Sequence, residues 1–221
     1  MRRSEINRYQ REAAELFAAH SFPLPRWADW SPEEWRARGA GCEEVKRCHL
    51  GWDLTDFGSG DFEKVGLLLF TIRNGLASGG VYRKPYAEKI MVVRDGQVTP
   101  IHFHWNKMED IINRGGAGLE MRLWRATDKE GLSDGPVAAS LDGVAVKVEA
   151  GGALVLEPGD SVALEPYVYH TFRAVGGTAL VGEVSMVNDD SSDNRFLVPA
   201  GRFPKIEEDA APLWLLCNEY P

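Results

Sequence analysis

Apolar residues in the first twenty positions recur at helical spacing. Ile6, Tyr9, Ala13, Leu16 and Phe17 fall near one face, and Ser4 is placed to cap a helix running through Ala19. The segment Phe22-Pro23-Leu24-Pro25 breaks that pattern. Ser31-Pro32-Glu33-Glu34 is a second start signal, with a capping serine, a proline at the first helical position and a glutamate that completes a capping box. This helix is expected to reach about Cys42 and to turn Trp35, with Trp30, toward a core or a dimer surface. Beyond residue 65 the period shortens. Residues 65–73, 89–94, 97–105, 119–125, 144–148, 153–156, 161–164, 169–174 and 179–184 read as strands separated by Gly, Pro, Asn and Asp. Asp95-Gly96 is a tight hairpin signal between two of them. Short strands at this spacing predict an all-β antiparallel sandwich or barrel. Residues 1–60 are expected to form a helical arm packed on a barrel of residues 61–221, as one structural domain overall.

Charge and composition narrow the partners. A net charge of −8 argues against non-specific nucleic-acid binding, which depends on phosphate neutralisation. No stretch approaches the roughly 20 apolar residues of a membrane span, and no run has signal-peptide character, so a cytoplasmic protein is expected. Cys42, Cys48 and Cys217 fit no zinc-ribbon or redox spacing and read as free thiols.

The histidines carry the chemistry. His102 and His104 are two apart, so in a strand both imidazoles face the same side. Glu109 follows five residues later, past a bend. His170 comes after the turn Pro158-Gly159-Asp160, which returns the chain toward the first pair. A lone histidine would read as a core or surface residue. This set instead reads as a divalent metal site with one or two exchangeable positions. Lys107, between His104 and Glu109, is expected at the cavity, where its amine can support a developing oxyanion. Lys89 opens the strand before the metal-bearing segment and is expected to point into the same cavity. Glu183 stands in an apolar strand, where a carboxylate needs a partner or a purpose. It is the candidate proton-transferring base, its pKa expected to rise toward neutrality on burial; a structural ion pair with an arginine is the competing reading. Asp193 and Arg195, in a very polar stretch from Asp189, are candidates for binding the polar groups of a substrate, and Arg114 for pinning a turn.

Gly96-x5-His102-x-His104-x4-Glu109-x5-Gly115 resembles the first cupin motif. Pro158-Gly159 followed by His170 resembles the second, with a longer gap than its commonest form. The segments MRRSEINRYQREAAELF, AEKIMVVRDGQVTPIHFHWNKMEDIINRGG, LVGEVSMVNDDSSDNRF and LCNEY together resemble the D-lyxose isomerase family over nearly the whole chain. The resemblance implies a cupin-type antiparallel β-barrel (jelly roll) and an aldose–ketose isomerase acting through a cis-enediol. It implies metal ligation by His102, His104, Glu109 and His170, most often of Mn2+, with Co2+, Fe2+, Ni2+ and Zn2+ as alternatives. It implies D-lyxose and D-xylulose, often with D-mannose and D-fructose, as substrates. A homodimer is expected from the tryptophan-rich arm and the need to cover sheet edges. Other cupin enzymes (an Fe(II) dioxygenase or a phosphosugar isomerase) and a non-catalytic sugar-binding cupin are the rivals. A phosphosugar enzyme should show a phosphate-binding loop, and only scattered Arg83, Lys84 and Arg114 are present.

Overall fold

The computed structural model describes residues 1–221. Its first helix, α1 (Arg3–Ala19), buries Ile6, Tyr9, Ala13 and Phe17 on one face, the stripe that the spacing predicts. Ser4 is not its cap. Glu5 accepts the Arg2 amide N–H at 2.7 Å, while the Ser4 amide and hydroxyl both donate to Asp209 in the C-terminal segment. After the proline break, α2 (Pro32–Arg38) opens on the expected capping box, with Glu34 N–H on Ser31 Oγ at 3.2 Å and Ser31 N–H on the Glu34 carboxylate at 2.8 Å. It stops early, at Gly39, whose φ of +55° is left-handed. A single 3-10 turn then leads into α3 (Glu43–Arg47). Trp35 packs against Trp27, Trp30 and Tyr220, so it is a core residue of this arm.

The strands are β1 (Gly51–Thr55), β2 (Leu67–Arg73), β3 (Tyr86–Val93), β4 (His102–Phe103), β5 (Glu109–Arg125), β6 (Val137–Leu141), β7 (Val144–Val148), β8 (Ala153–Leu156), β9 (Ser161–Leu164), β10 (Val168–Met186) and β11 (Arg195–Phe196). All pair antiparallel, in the order β1-β2-β3-β10-β5-β9-β6-β7, with β8 on β5 and with β4 between β10 and β11. This is the antiparallel barrel that the strand spacing predicts. β1 lies before residue 61 and is wholly buried, so its five residues show no alternation. β6, Val-Ala-Ala-Ser-Leu, is poor in β-formers.

Asp95-Gly96 does not close a hairpin. The neighbours of β3 are β2 and β10. The Asp95 carboxylate accepts the amides of Gly176 and Gly177, and Gly96 N–H donates to Ala174. The turn therefore hands the chain across to β10, and the expected strand at 97–105 shrinks to His102–Phe103. Conversely, the glycines at 115–118 and 176–177 bend strands rather than end them. β5 and β10 pair along their whole length, with register shifts at that bend. Gly116 has φ +84°, and a Cβ there would lie 2.4 Å from the Thr178 carbonyl oxygen.

Alternation sorts β2, β3 and β10 into two cores. Leu67, Leu69, Met91, Val93, Ala179 and Val181 face the barrel interior. Leu68, Phe70, Ile90, Val92 and Leu180 face α1, where they pack with Ile6, Phe17 and Trp52. Both faces are thus apolar, as expected of strands covered on both sides. Polar side chains that share the inner parity, Lys89, Glu109, His170 and Glu183, are carried into the barrel by the same alternation.

Candidate metal centre and catalytic cavity

His102 on β4 lies opposite His170 on β10, and Glu183 opposite Lys89 on β3. Phe103 turns away between the two histidines and packs on Tyr167 and Tyr169. The imidazoles of His102, His104 and His170 present ring nitrogens within 4.8 Å of one another. Glu109 Oε1 reaches to 3.3 Å from His104 Nε2 and 3.1 Å from His170 Nε2. Each Nδ1 contacts a backbone carbonyl: Pro100 at 2.8 Å for His102, Asp193 at 2.7 Å for His104 and Val168 at 3.1 Å for His170. A carbonyl oxygen only accepts, so Nδ1 carries a proton in each ring and Nε2 is the atom left to face the common point. Burial, followed by repulsion from His170 and His104, also pushes His102 well below the usual imidazole pKa, into its neutral, ligating form.

When the rings are neutral, three lone pairs and a carboxylate oxygen facing one buried point are mutually unfavourable without a cation. His104 Nε2 and Glu109 Oε1 are both buried with no hydrogen-bond partner, an arrangement that is costly unless something occupies the point between them. The donor set, three imidazoles and one carboxylate, fits a divalent transition ion.

Beside it runs a chain of buried charges. Lys107 Nζ lies 2.7 Å from Glu109 Oε2, 2.9 Å from Glu183 Oε1 and 3.2 Å from Asn188 Oδ1. Lys89 Nζ is 3.2 Å from both Glu183 oxygens and 2.7 Å from Asn188 Oδ1. Ser185 Oγ donates to Glu183 at 3.0 Å. Burial works against the charge on Lys107, but Glu109 and Glu183 reverse this and raise its pKa. Burial likewise opposes charge on Glu183, yet Lys107 and Lys89 together hold its pKa below the ordinary carboxylate value. The expected rise toward neutrality does not occur, because two lysines rather than one arginine face it. Glu109 is also held well below its usual value, by Lys107 and His104 against burial.

The cavity is lined by all four candidate ligands and by Lys89, Lys107 and Glu183. Asp190, Asn194 and Arg202 add polar groups to its wall, and Phe57, Phe172 and Phe196 add apolar ones. Arg202 pairs with Asp190 at 2.8 Å and also with Asp53. Asp193 and Arg195 do not line this cavity. The Asp193 carboxylate accepts the amide N–H of Asn106 and of Lys107, each at 2.8 Å, and Arg195 pairs with Glu130 at 2.7 Å. Asp193 therefore ties down the segment between His104 and Lys107, where the sequence suggested contact with sugar. Arg114 lies against Gly182 on the outer side of β10. Nothing periodic marks Asp190, Asn194 or Arg202 in the sequence. The one signal for Asp190 is its place in an unusually polar segment directly after an apolar strand.

A family model described as D-lyxose isomerase matches residues 1–220. A curated relative from Serratia proteamaculans, named D-lyxose/D-mannose isomerase, is 48% identical over 100% of this chain and 98% of its own. One of the same name from Escherichia coli O157:H7 is 49% identical with the same coverage. The solved structure of L-ribose isomerase from Cellulomonas parahominis with L-ribose superposes with a TM-score of 0.62. It shares 20% sequence identity and covers 94% of this chain and 98% of its own. That likeness is one of fold.

Proposed function

This chain belongs to the D-lyxose isomerase family, and from that premise we propose that it is a divalent-metal-dependent aldose–ketose isomerase for D-lyxose and D-xylulose, and for D-mannose and D-fructose. The observation that carries the reading is the convergence of three imidazole nitrogens and Glu109 Oε1 beside the buried Lys107–Glu183–Lys89 chain.

His102, His104, Glu109 and His170 would hold the ion, and Mn2+ is the one the family resemblance implies. When bound, it supplies Lewis acidity toward the oxygens at C1 and C2. Glu183 takes the proton from C2 and returns it to C1 through a cis-enediol, while the hydroxyl proton of O2 passes to O1, or the reverse. It is ionised at neutral pH because of its lysine neighbours, so it is ready to accept that proton. Lys107 shares the negative charge developing on the substrate oxygen, in a site where burial strengthens that interaction. Lys89, opposite Glu183 in the sheet, keeps the carboxylate turned inward. Asp190 and Arg202 offer an acceptor and a donor to hydroxyls farther along the sugar. Asp193 acts through the backbone, fixing His104 and the turn that carries Lys107.

A homodimer is part of the proposal. Tyr86, Met108, Val184 and Met186 are exposed on adjoining strands: Tyr86 pairs with Met186, whose N–H donates to Met108. An apolar patch of this kind supports pairing with a second copy. The cytoplasm is the proposed compartment, supported by three buried free cysteines of the sort a reducing environment maintains. No helix is long and apolar enough to cross a membrane.

The test is turnover after chelator stripping and reloading with Mn2+. Interconversion of lyxose with xylulose, and of mannose with fructose, is expected. No turnover with any aldopentose or aldohexose would reject the reading.

A further inference from the structure

Asn188 does not line the cavity, yet its side chain joins two charged groups that do. Its Oδ1 accepts from Lys89 Nζ at 2.7 Å and from Lys107 Nζ at 3.2 Å. An amide has one accepting end and one donating end. Two lysines, which only donate, both take the oxygen, so both neighbours select one orientation of the group.

The backbone of Asn188 is fixed by a second amide. Asn74, buried at the end of β2, accepts the Asn188 N–H on its Oδ1 at 3.0 Å and donates its Nδ2 to the Asn188 carbonyl at 2.9 Å. This two-point clasp ties the segment after β10 to the loop after β2. The acceptor it presents is uncharged. Lys89 and Lys107 therefore share Asn188 without being drawn from Glu183, which contacts both.

We propose that Asn188, clasped by Asn74, is a positioning residue for the isomerisation: its amide oxygen holds Lys89 and Lys107 together on Glu183. The inference rests on the isomerase reading above. Angstrom-scale misplacement of groups that act on substrate costs on the order of 100-fold.

The test measures kcat, KM and Mn2+ bound per chain for Asn188→Ala, Asn188→Asp and Asn74→Ala. Asn188→Ala is expected to lower kcat by about 10- to 100-fold, with KM within about twofold and Mn2+ content unchanged. Asn188→Asp keeps the shape but adds a carboxylate that competes with Glu183, so kcat falls there too; it carries the test should the alanine variant not fold. Asn74→Ala is expected to give a smaller loss of the same kind. Wild-type kcat in the two Asn188 variants overturns the proposal. So does, in folded variants, a loss matched by lost Mn2+, or a rise in KM with kcat kept. Absence of turnover in the wild type overturns the isomerase reading and this one with it. Turnover in the wild type with unaffected variants overturns this one alone.

Discussion

Glu183 stays charged inside the barrel because Lys107 and Lys89 face it and outweigh burial. Replacing it with glutamine removes the proton acceptor while keeping the shape. Glu183→Gln is expected to lower kcat by about 10²- to 10⁴-fold, the range for losing a general base. Mn2+ content should be unchanged, since Glu183 contributes no atom to the converging set; atomic absorption on the purified variant checks this. Glu183→Gln also leaves Lys107 and Lys89 with one carboxylate fewer. At this scale the sequence was informative where strand parity acts. His102, His170, Lys89, Glu109 and Glu183 each sit on a strand with an inner and an outer face, so the spacing to apolar neighbours tells which way they point. Asp190, Arg202 and Asn188 sit in loops, where no period exists; only the folded chain brings Asp190 and Arg202 to the cavity wall and Asn188 against Lys89 and Lys107. The same absence of period is why Asp193 and Arg195 suggested sugar contact, although their partners are Asn106, Lys107 and Glu130.

β5 and β10 decide the shape of the barrel, and the glycines at 115–118 and 176–177 are what allow both strands to bend while staying paired. Gly116→Ala places a Cβ against the Thr178 carbonyl at a positive φ. That substitution is expected to cost about 1–3 kcal/mol, the range for a residue held in a disfavoured backbone region. A thermal melt of the variant should show a fall of several degrees, and an unchanged melting temperature would mean the bend tolerates a side chain. From sequence, the same glycines read as strand ends, because a break in apolar texture looks alike whether the chain turns or bends. Asp95-Gly96 failed in the opposite sense. Its residues suit a two-residue turn, but the Asp95 carboxylate is engaged by the amides of Gly176 and Gly177, and tertiary pairing with β10 overrides the local preference. The capping box at Ser31 was legible because all its partners lie within four residues. Ser4 was misread because its partner, Asp209, is far away in sequence.

Several buried ionisable groups of the molecule surround one cavity, and this gives its stability a definite pH dependence. Asp190 and Glu183 have folded-state pKa values below 3.8 and 4.5, their ordinary values, since nearby lysines (and Arg202 for Asp190) outweigh burial. Unfolded, they titrate at the ordinary values. Their stabilising contribution is therefore complete above about pH 4.5 and is lost as the pH falls through the lower folded-state values. Urea midpoints are expected to hold steady between about pH 7 and 8, to fall first below the ordinary imidazole value of 6.5, because His102 stays neutral when folded, and to drop further in more acidic buffer; midpoints that rise on acidification would contradict this. The exposed patch of Tyr86, Met108, Val184 and Met186 makes a separate prediction at this scale. Met186→Glu should shift the mass seen by light scattering from dimer toward monomer, and a wild type that is already monomeric would remove the dimer from the account. The central claim, that His102, His104, Glu109 and His170 hold one divalent ion on which turnover depends, is tested most directly by equilibrium dialysis of stripped protein against Mn2+, with metal and isomerase rate measured on the same samples. One ion per chain is predicted, with the rate rising in proportion to occupancy and with both lost in His170→Ala. Full isomerase activity in the stripped protein, or a His170→Ala variant that keeps both ion and rate, would contradict it.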